Sequence, residues 1–348
     1  MSRSRNSLLF KALLVLLALC CILAVYYSLS LFWLPLTSFH FQTGSHRNVY
    51  TAADMIKVFM VTENSRMGGV ITAINSIISN TNHPTHFYIV TDNSSAYHLL
   101  SWIEHSKLKS ISYEINVFQN KLFLPHVQNL ENMHHRNPLL SYAKIFVSKI
   151  SPDLEGRWIF LDDDIIVQGD IFELTNATIL EDNVGAFSYE CDVISKQYNS
   201  LGNKYIKYLN LQNSHLKVLN IHPNTCVFSL GVYILNMTAW NSQKITEQLE
   251  YWIDLNGKEK IFNEPGPLPP MLVTLYNKTT PLDPSWHVHH LGVSTKSRYS
   301  RAFLKKAKLL HWDGHFKPWS KRTTYTEFWD KYFIKDPDEK FHVHRKLS

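Results

Sequence analysis

The chain has 348 residues, 45% of them hydrophobic, 13% aromatic and 18% charged, a composition that supports a large folded core and excludes disordered and collagen-like chains. Its formal net charge is +6, but Arg3, Arg5 and Lys11 carry three of those charges before the first apolar run. The remainder is too small and too dispersed to argue for a nucleic-acid partner.

In chain order, residues 1–11 form a short basic tail, and residues 12–34 (ALLVLLALCCILAVYYSLSLFWL) contain no charged side chain. At 1.5 Å per residue, that run crosses the hydrocarbon core of a bilayer. A cleavable leader would be shorter and would end on small residues, whereas this run closes on Tyr26, Tyr27, Phe32 and Trp33. It is expected to be a transmembrane signal-anchor. The basic residues ahead of it place 1–11 in the cytoplasm and the rest of the chain across the membrane, a single-pass type II arrangement. Residues 35–55 read as a stem, and 56–348 as one lumenal domain. Cys20 and Cys21 lie within the span, so Cys191 and Cys226 are the pair available for a disulfide. Sequons at Asn93, Asn176, Asn236 and Asn277 agree with a secretory-pathway protein.

Within the domain, 57–62 reads as a strand, Arg66-Met67-Gly68-Gly69 as a turn and 70–78 as a helix, followed by strands at 87–91 and 111–117. Residues 139–150 are a helix candidate. The strand 157–161 runs directly into Asp162-Asp163-Asp164. Apolar runs at 184–188 and 226–236 follow, then helical spacing over 242–252, a Gly/Pro break at 265–270 and an apolar run at 271–276. The aromatic, basic tail from Tyr325 is expected to cap the domain. This alternation predicts an α/β fold with a single mixed, mostly parallel sheet flanked by helices.

Two clusters carry chemistry. Side chains alternate along an extended backbone, so Asp162 and Asp164 face one way and Asp163 the other. The carboxyl end of a parallel strand is where open α/β sheets bind ligands, and paired carboxylates with diphosphate oxygens suit Mg²⁺ or Mn²⁺. An exposed acidic turn is the competing reading. The second cluster is His311-Trp312-Asp313-Gly314-His315-Phe316-Lys317-Pro318-Trp319. Here His311 would complete the carboxylate site and tilt it toward Mn²⁺, Gly314 would let backbone approach an anion, and Lys317 would supply a compact positive charge. Taken alone it could equally be a packed aromatic turn. The run His287-Val288-His289-His290, together with His311 and His315, lacks both H-E-x-x-H and a cysteine pair, and reads as structural or surface histidines. No G-x-G-x-x-G or G-x-S-x-G is present, which leaves dinucleotide binding and serine-hydrolase chemistry unsupported.

With both clusters in this order and Phe228-Ser229-Leu230-Gly231-Val232 between them, residues 56–320 resemble glycosyltransferase family 8, above all its animal glycosyltransferase 8 domain-containing members. Leu268-Pro269-Pro270, the stretch 281–288 and Lys317-Pro318-Trp319 add a secondary likeness to plant galacturonosyltransferases. The resemblance implies a GT-A fold, a UDP-sugar donor, Mn²⁺ (with Mg²⁺ the alternative) and retention of anomeric configuration. Carried onto this sequence, it implies Asp162, Asp164 and His311 as metal ligands, and Gly314 and Lys317 as phosphate contacts. It places Lys144 where arginine is usual, Asp163, Thr62, Glu63 and Asn64 in the nucleotide site, and Glu190 and Asp192 at the donor sugar. Asp162, Asp164 and Lys317 would then carry catalysis. Ser229 stands where asparagine is usual, and Pro269-Pro270 where family members commonly place a sugar-facing Asp-Gln pair. The expected protein is a hexosyltransferase of the Golgi or endoplasmic-reticulum membrane, acting on a glycan, protein or lipid acceptor. The alternative is a catalytically weak relative that binds UDP or a glycan and serves as an interaction partner.

Overall fold

Strand β1 (Ile56–Val61) is apolar on both faces except at the half-buried Lys57, with Val58, Phe59 and Met60 fully buried, as the middle of a covered parallel sheet requires. It appears in a computed structural model that describes residues 40–41, 55–119, 138–191 and 203–347. β2 (Thr85–Thr91) pairs with β1 on one side, β3 (Ser112–Val117) lies beyond β2, and β4 (Arg157–Leu161) pairs with β1 on the other, all in parallel. Val58 faces Phe87 across one ladder and Ile159 across the other. The crossovers are α1 (Met67–Asn80) and α2 (Asn93–Glu104), and α2 starts at Asp92, whose side chain accepts the Ser95 N–H.

After β4 the chain forms the short β5 (Ile165–Val167), then β6 (Gly185–Tyr189), β7 (Phe228–Asn236), β8 (Thr279–Pro281) and β9 (Leu309–His311). From residue 56 onward the main sheet has the order β3-β2-β1-β4-β7-β6-β8, with β7 antiparallel to both its neighbours. The expectation of a single sheet is corrected by β5 and β9, which form a separate antiparallel pair with His311 opposite Ile165. β5 follows β4 after only three residues, the Asp162-Asp163-Asp164 turn, so β9 is led back to the end of β4.

Each face of the sheet has its own core. On one, Phe59, Phe160, Tyr233 and Phe187 stand side by side across four strands with ring centroids 4.8–5.0 Å apart. On the other, Val58, Met60, Leu161 and Val232 pack under α1 and α2. Two sequence expectations need revision. Residues 139–150 divide into a 3-10 segment (Pro138–Lys144) and α3 (Val147–Ile150), because burial of Tyr142 and Ala143 and the reach of Lys144 to Asp162 and the Leu230 carbonyl outweigh helix propensity. After α4 (Met237–Ser242) and α5 (Ile245–Glu259), α6 (Leu268–Thr274) begins inside the proline run rather than after it, since Pro269 and Pro270 occupy the first turn where no N–H is needed.

The tail from Tyr325 does cap the domain, with Trp329 and Phe341 packed around Trp319. The expected cytoplasmic tail and membrane span, and the stem to residue 54 apart from residues 40–41, lie outside the described residues. Among the described ones, no helix is long and apolar enough to cross a membrane.

Candidate active site

The site forms where β4 ends. Its last ladder bond is Asp162 N–H to Gly231 O at 2.9 Å, after which the three carboxylates diverge. Asp162 and Asp164 both point toward His311, with Oδ2 of Asp162 at 3.5 Å and Oδ1 of Asp164 at 3.0 Å from its Nε2. Asp163 turns away, accepting from Thr62 Oγ1 at 2.9 Å and from Arg66 Nε at 2.7 Å. One ligand atom each from Asp162, Asp164 and His311 lies within 4.8 Å of the others.

Three aspartates this close require compensating charge, because a buried unpaired carboxylate is far more costly than a paired one. Lys144 pairs with Asp162 and also donates to Leu230 O at 2.9 Å. Lys317 pairs with Asp164, and Arg66 spans Asp163 and Asp164, the latter at 3.2 Å. Burial works against ionisation of Asp164, but Lys317, Arg66 and His311 overcome it and hold its carboxyl well below the ordinary range.

His311 is oriented from behind. Its Nδ1 lies 2.8 Å from His287 Nε2, and His287 Nδ1 lies 2.7 Å from Ser188 Oγ. Burial, reinforced by the neighbouring His289 and His311, pushes His287 well below its usual value, so this ring is neutral. Burial also disfavours charge on His311, yet the Asp164 carboxylate outweighs it and raises the value.

The group opens into a cleft of about 380 Å³ whose wall includes Thr62, Glu63, Lys144, Glu190, Gly314 and Lys317. Gly314, at φ +100°, sits so close to Gly292 that a Cβ would lie 2.7 Å from its carbonyl oxygen. Glu190 directly follows β6, and the next residue, Cys191, is disulfide-bonded to Cys226. Of the remaining expected residues, Thr62 lines the cleft but spends its hydroxyl on Asp163. Asn64 is turned toward His98, its Oδ1 3.1 Å from Nδ1, and is not on the cleft wall. Asp192 lies outside the described residues. Pro269 and Pro270 are buried in α6 and contribute nothing polar. The histidines separate, with His287 serving His311, His289 and His290 beside Glu190, and His315 exposed.

Sequence reasoning missed Arg66, Gly231 and His287. Only Gly231 left a trace, a glycine inside an apolar strand, which often marks a close approach. A Cβ there would lie 2.5 Å from His311 Cε1.

The model of glycosyl transferase family 8 matches residues 57–323. Glycosyltransferase 8 domain-containing protein 1 of Homo sapiens is 40% identical over 301 residues, 84% of this chain and 81% of its own. The Mus musculus protein of that name is 38% identical over 315 residues, 88% and 85% of the two chains. Glycosyltransferase 8 domain-containing protein 2 of Bos taurus is 36% identical over 303 residues, 85% and 86%. Among solved structures, the bifunctional glycosyltransferase WbbM in its apo form superposes with a TM-score of 0.61 at 17% identity, covering 85% of this chain and 52% of that one. The galactosyltransferase LgtC, solved with donor and acceptor sugar analogues, gives 0.58 at 12% identity, covering 81% and 98%. At these identities the likeness is one of fold, and that fold is of the GT-A type.

Proposed function

The chain belongs to glycosyltransferase family 8, and from that premise we propose that it moves a hexosyl group from a UDP-sugar to an acceptor hydroxyl, retaining configuration, in a Mn²⁺-dependent reaction. The observation that carries this reading is the Asp162–Asp164–His311 group on the wall of the cleft. Residues 12–34 would anchor the enzyme in the Golgi or endoplasmic-reticulum membrane with the domain in the lumen.

The donor set fits a divalent cation, with two carboxylate oxygens and one imidazole nitrogen converging, and the nitrogen favours Mn²⁺ over Mg²⁺. To offer a lone pair at Nε2, His311 must carry its proton on Nδ1. His287 accepts that hydrogen bond and passes its own proton toward Ser188, an arrangement that requires the neutral His287 burial produces. When bound, the cation supplies Lewis-acid stabilisation of the charge that builds on the departing diphosphate.

Lys144 and Lys317 balance Asp162 and Asp164 in the protein alone. With the carboxylates engaged by a cation, both ammonium groups are free to turn to diphosphate oxygens. Their attraction grows as the anomeric C–O bond breaks, so they stabilise the transition state more than the bound donor. The backbone at Gly314 can approach the same phosphates. Glu63 borders the nucleoside end of the cleft, and Glu190 offers a carboxylate to the sugar. Arg66 and Thr62 act through Asp163 as positioning residues, fixing the turn on which both ligating aspartates stand.

The test is UDP release from a panel of UDP-sugars with and without Mn²⁺, with Asp164→Ala as the control. Wild-type turnover should depend on Mn²⁺, and the variant should lose at least about a hundredfold. Turnover unchanged in the variant would remove the metal-site assignment. One observation favours a second reading: with Pro269 and Pro270 buried, no polar pair from that segment reaches the sugar. Metal-dependent UDP binding without turnover on any donor would decide for a binding protein of weak activity.

A further inference from the structure

Next to the Asp-Asp-His group stands a second set of ligand-type side chains, of which Glu190 is on the cleft wall. Glu190 directly follows β6, and His289 and His290 lie on the segment leading toward β9; one ligand atom from each lies within 4.8 Å of the others. Glu190 Oε2 is 3.8 Å from His289 Nδ1 and 3.8 Å from His290 Nε2, too far for hydrogen bonds. Their positions are nevertheless built into the fold. The Glu190 backbone N–H bonds Val227 O at 2.9 Å, and the adjacent disulfide ties the same point to β7. His290 has a φ of +68°, which breaks the alternation of an extended chain and brings its ring to 3.9 Å, centroid to centroid, from that of His289.

Proton placement completes the argument. His290 Nδ1 lies 2.7 Å from Asp313 Oδ2, and the His290 backbone N–H donates to the other oxygen of the same carboxylate. Asp313 is the acceptor, so Nδ1 carries a proton, and the Nε2 side of the ring is the one turned toward Glu190. With an ion present, the neutral ring would offer its Nε2 lone pair on the side where Glu190 offers its carboxylate. His289 Nδ1 is buried and within hydrogen-bond distance of no acceptor, lying 3.8 Å from Glu190 Oε2 and 3.8 Å from Asp313 Oδ2, so both carboxylates face it.

We propose that Glu190, His289 and His290 form a second divalent-cation site, of zinc type, with Asp313 orienting His290 from behind. Two imidazole nitrogens and one carboxylate oxygen, leaving a fourth position for water, are a donor set zinc accepts. On a tetrahedral ion with bonds of about 2.0–2.1 Å, neighbouring donors stand roughly 3.3–3.4 Å apart, so the 3.8 Å separations close with a shift of about half an ångström. A carboxylate holding the far nitrogen of a ligating histidine is the usual outer partner in such sites. The group shares no ligand with Asp162, Asp164 and His311, although His287 bonds His311 and stacks on His289 at 4.8 Å. Loading this site withdraws Glu190 from the cleft, and the site stands whether or not the cleft transfers a sugar.

Equilibrium dialysis of the metal-free protein against Zn²⁺, with metal content read by mass spectrometry, tests the proposal without any nucleotide sugar. The Asp162→Asn/Asp164→Asn protein should retain one zinc, His289→Ala/His290→Ala should abolish binding in that background, and Asp313→Ala should weaken it by about 10–100-fold. Equal zinc content with and without the two histidines would overturn the site. Should the histidine variant fail to fold, Co²⁺ added to the Asp162→Asn/Asp164→Asn protein decides. The intense visible absorption of four-coordinate cobalt supports the site, and the weak absorption of six-coordinate cobalt alone overturns it.

Discussion

Gly231 shows how closely single residues are fitted around the ligating group. A methyl group there would lie 2.5 Å from His311 Cε1, 2.9 Å from its Nδ1 and 3.1 Å from Asp162 Oδ2, displacing two of the three proposed ligands at once. Gly231→Ala is therefore expected to weaken Mn²⁺ binding by about tenfold or more in a calorimetric titration, with the fold retained. His287 provides a second test at this scale. Burial lowers its value well below 6.5, so between pH 6.5 and the lower folded value the unfolded chain binds a proton that the folded protein does not. Metal-free protein should lose up to about 1.4 kcal/mol per pH unit on acidification through that window, and His287→Asn should flatten this slope of melting temperature against pH. His311 acts in a different window and with the opposite sign, since burial is outweighed by Asp164 and the value is raised; its contribution is lost as pH climbs above 6.5. Asp162, Asp164, His311 and Lys317 stood out in the sequence as two clusters, each of which alone also allowed a structural turn; the structure brings the four together. Arg66 did not stand out, because its partner Asp163 lies 97 positions away and nothing local marks a guanidinium as paired.

Among the elements, the strands of five residues or more were legible, and the short helices and three-residue strands were not. Buried strands of a parallel sheet are apolar runs whatever lies beside them, whereas 138–150 takes its shape from what Tyr142, Ala143 and Lys144 must reach. The β5–β9 pair escaped notice for a related reason. A three-residue strand carries too little pattern to register, and only pairing between Ile165 and His311 reveals it. The disulfide belongs to this scale, since it joins the end of β6 to the start of β7 across 35 positions of sequence. Replacing both cysteines with serine should cost about 2–4 kcal/mol in urea denaturation, mostly through the added freedom of the unfolded chain. Reduction of the wild type should reproduce the effect, and an unchanged midpoint would show that the bond does not constrain the unfolded state.

For the whole molecule, placement of the domain across the membrane can be tested through its sequons. Asn93, Asn176 and Asn277 are exposed, whereas Asn236 is half-buried and its side chain accepts the Ala239 N–H at the start of α4. In cells, endoglycosidase should shift the wild-type protein, N93Q/N176Q/N277Q should remove the shift, and N236Q should leave it intact. A wild-type protein without any shift would argue against delivery to the lumen.

The sequence by itself determined the α/β class, the longer strands of the sheet and the carboxylate and imidazole candidates for a site, because apolar periodicity and chemically specialised side chains are local properties. The tertiary structure alone decided which residues share that site. β5 leaves β4 after three residues and pairs with β9, so His311 comes to within hydrogen-bond distance of Asp164 across 147 positions of chain. The same folding brings Arg66, Lys144 and Lys317 to the three aspartates, and His289 and His290 to Glu190. Contacts of this kind depend on the register and direction of elements far apart in the chain, and no local pattern of residues encodes them.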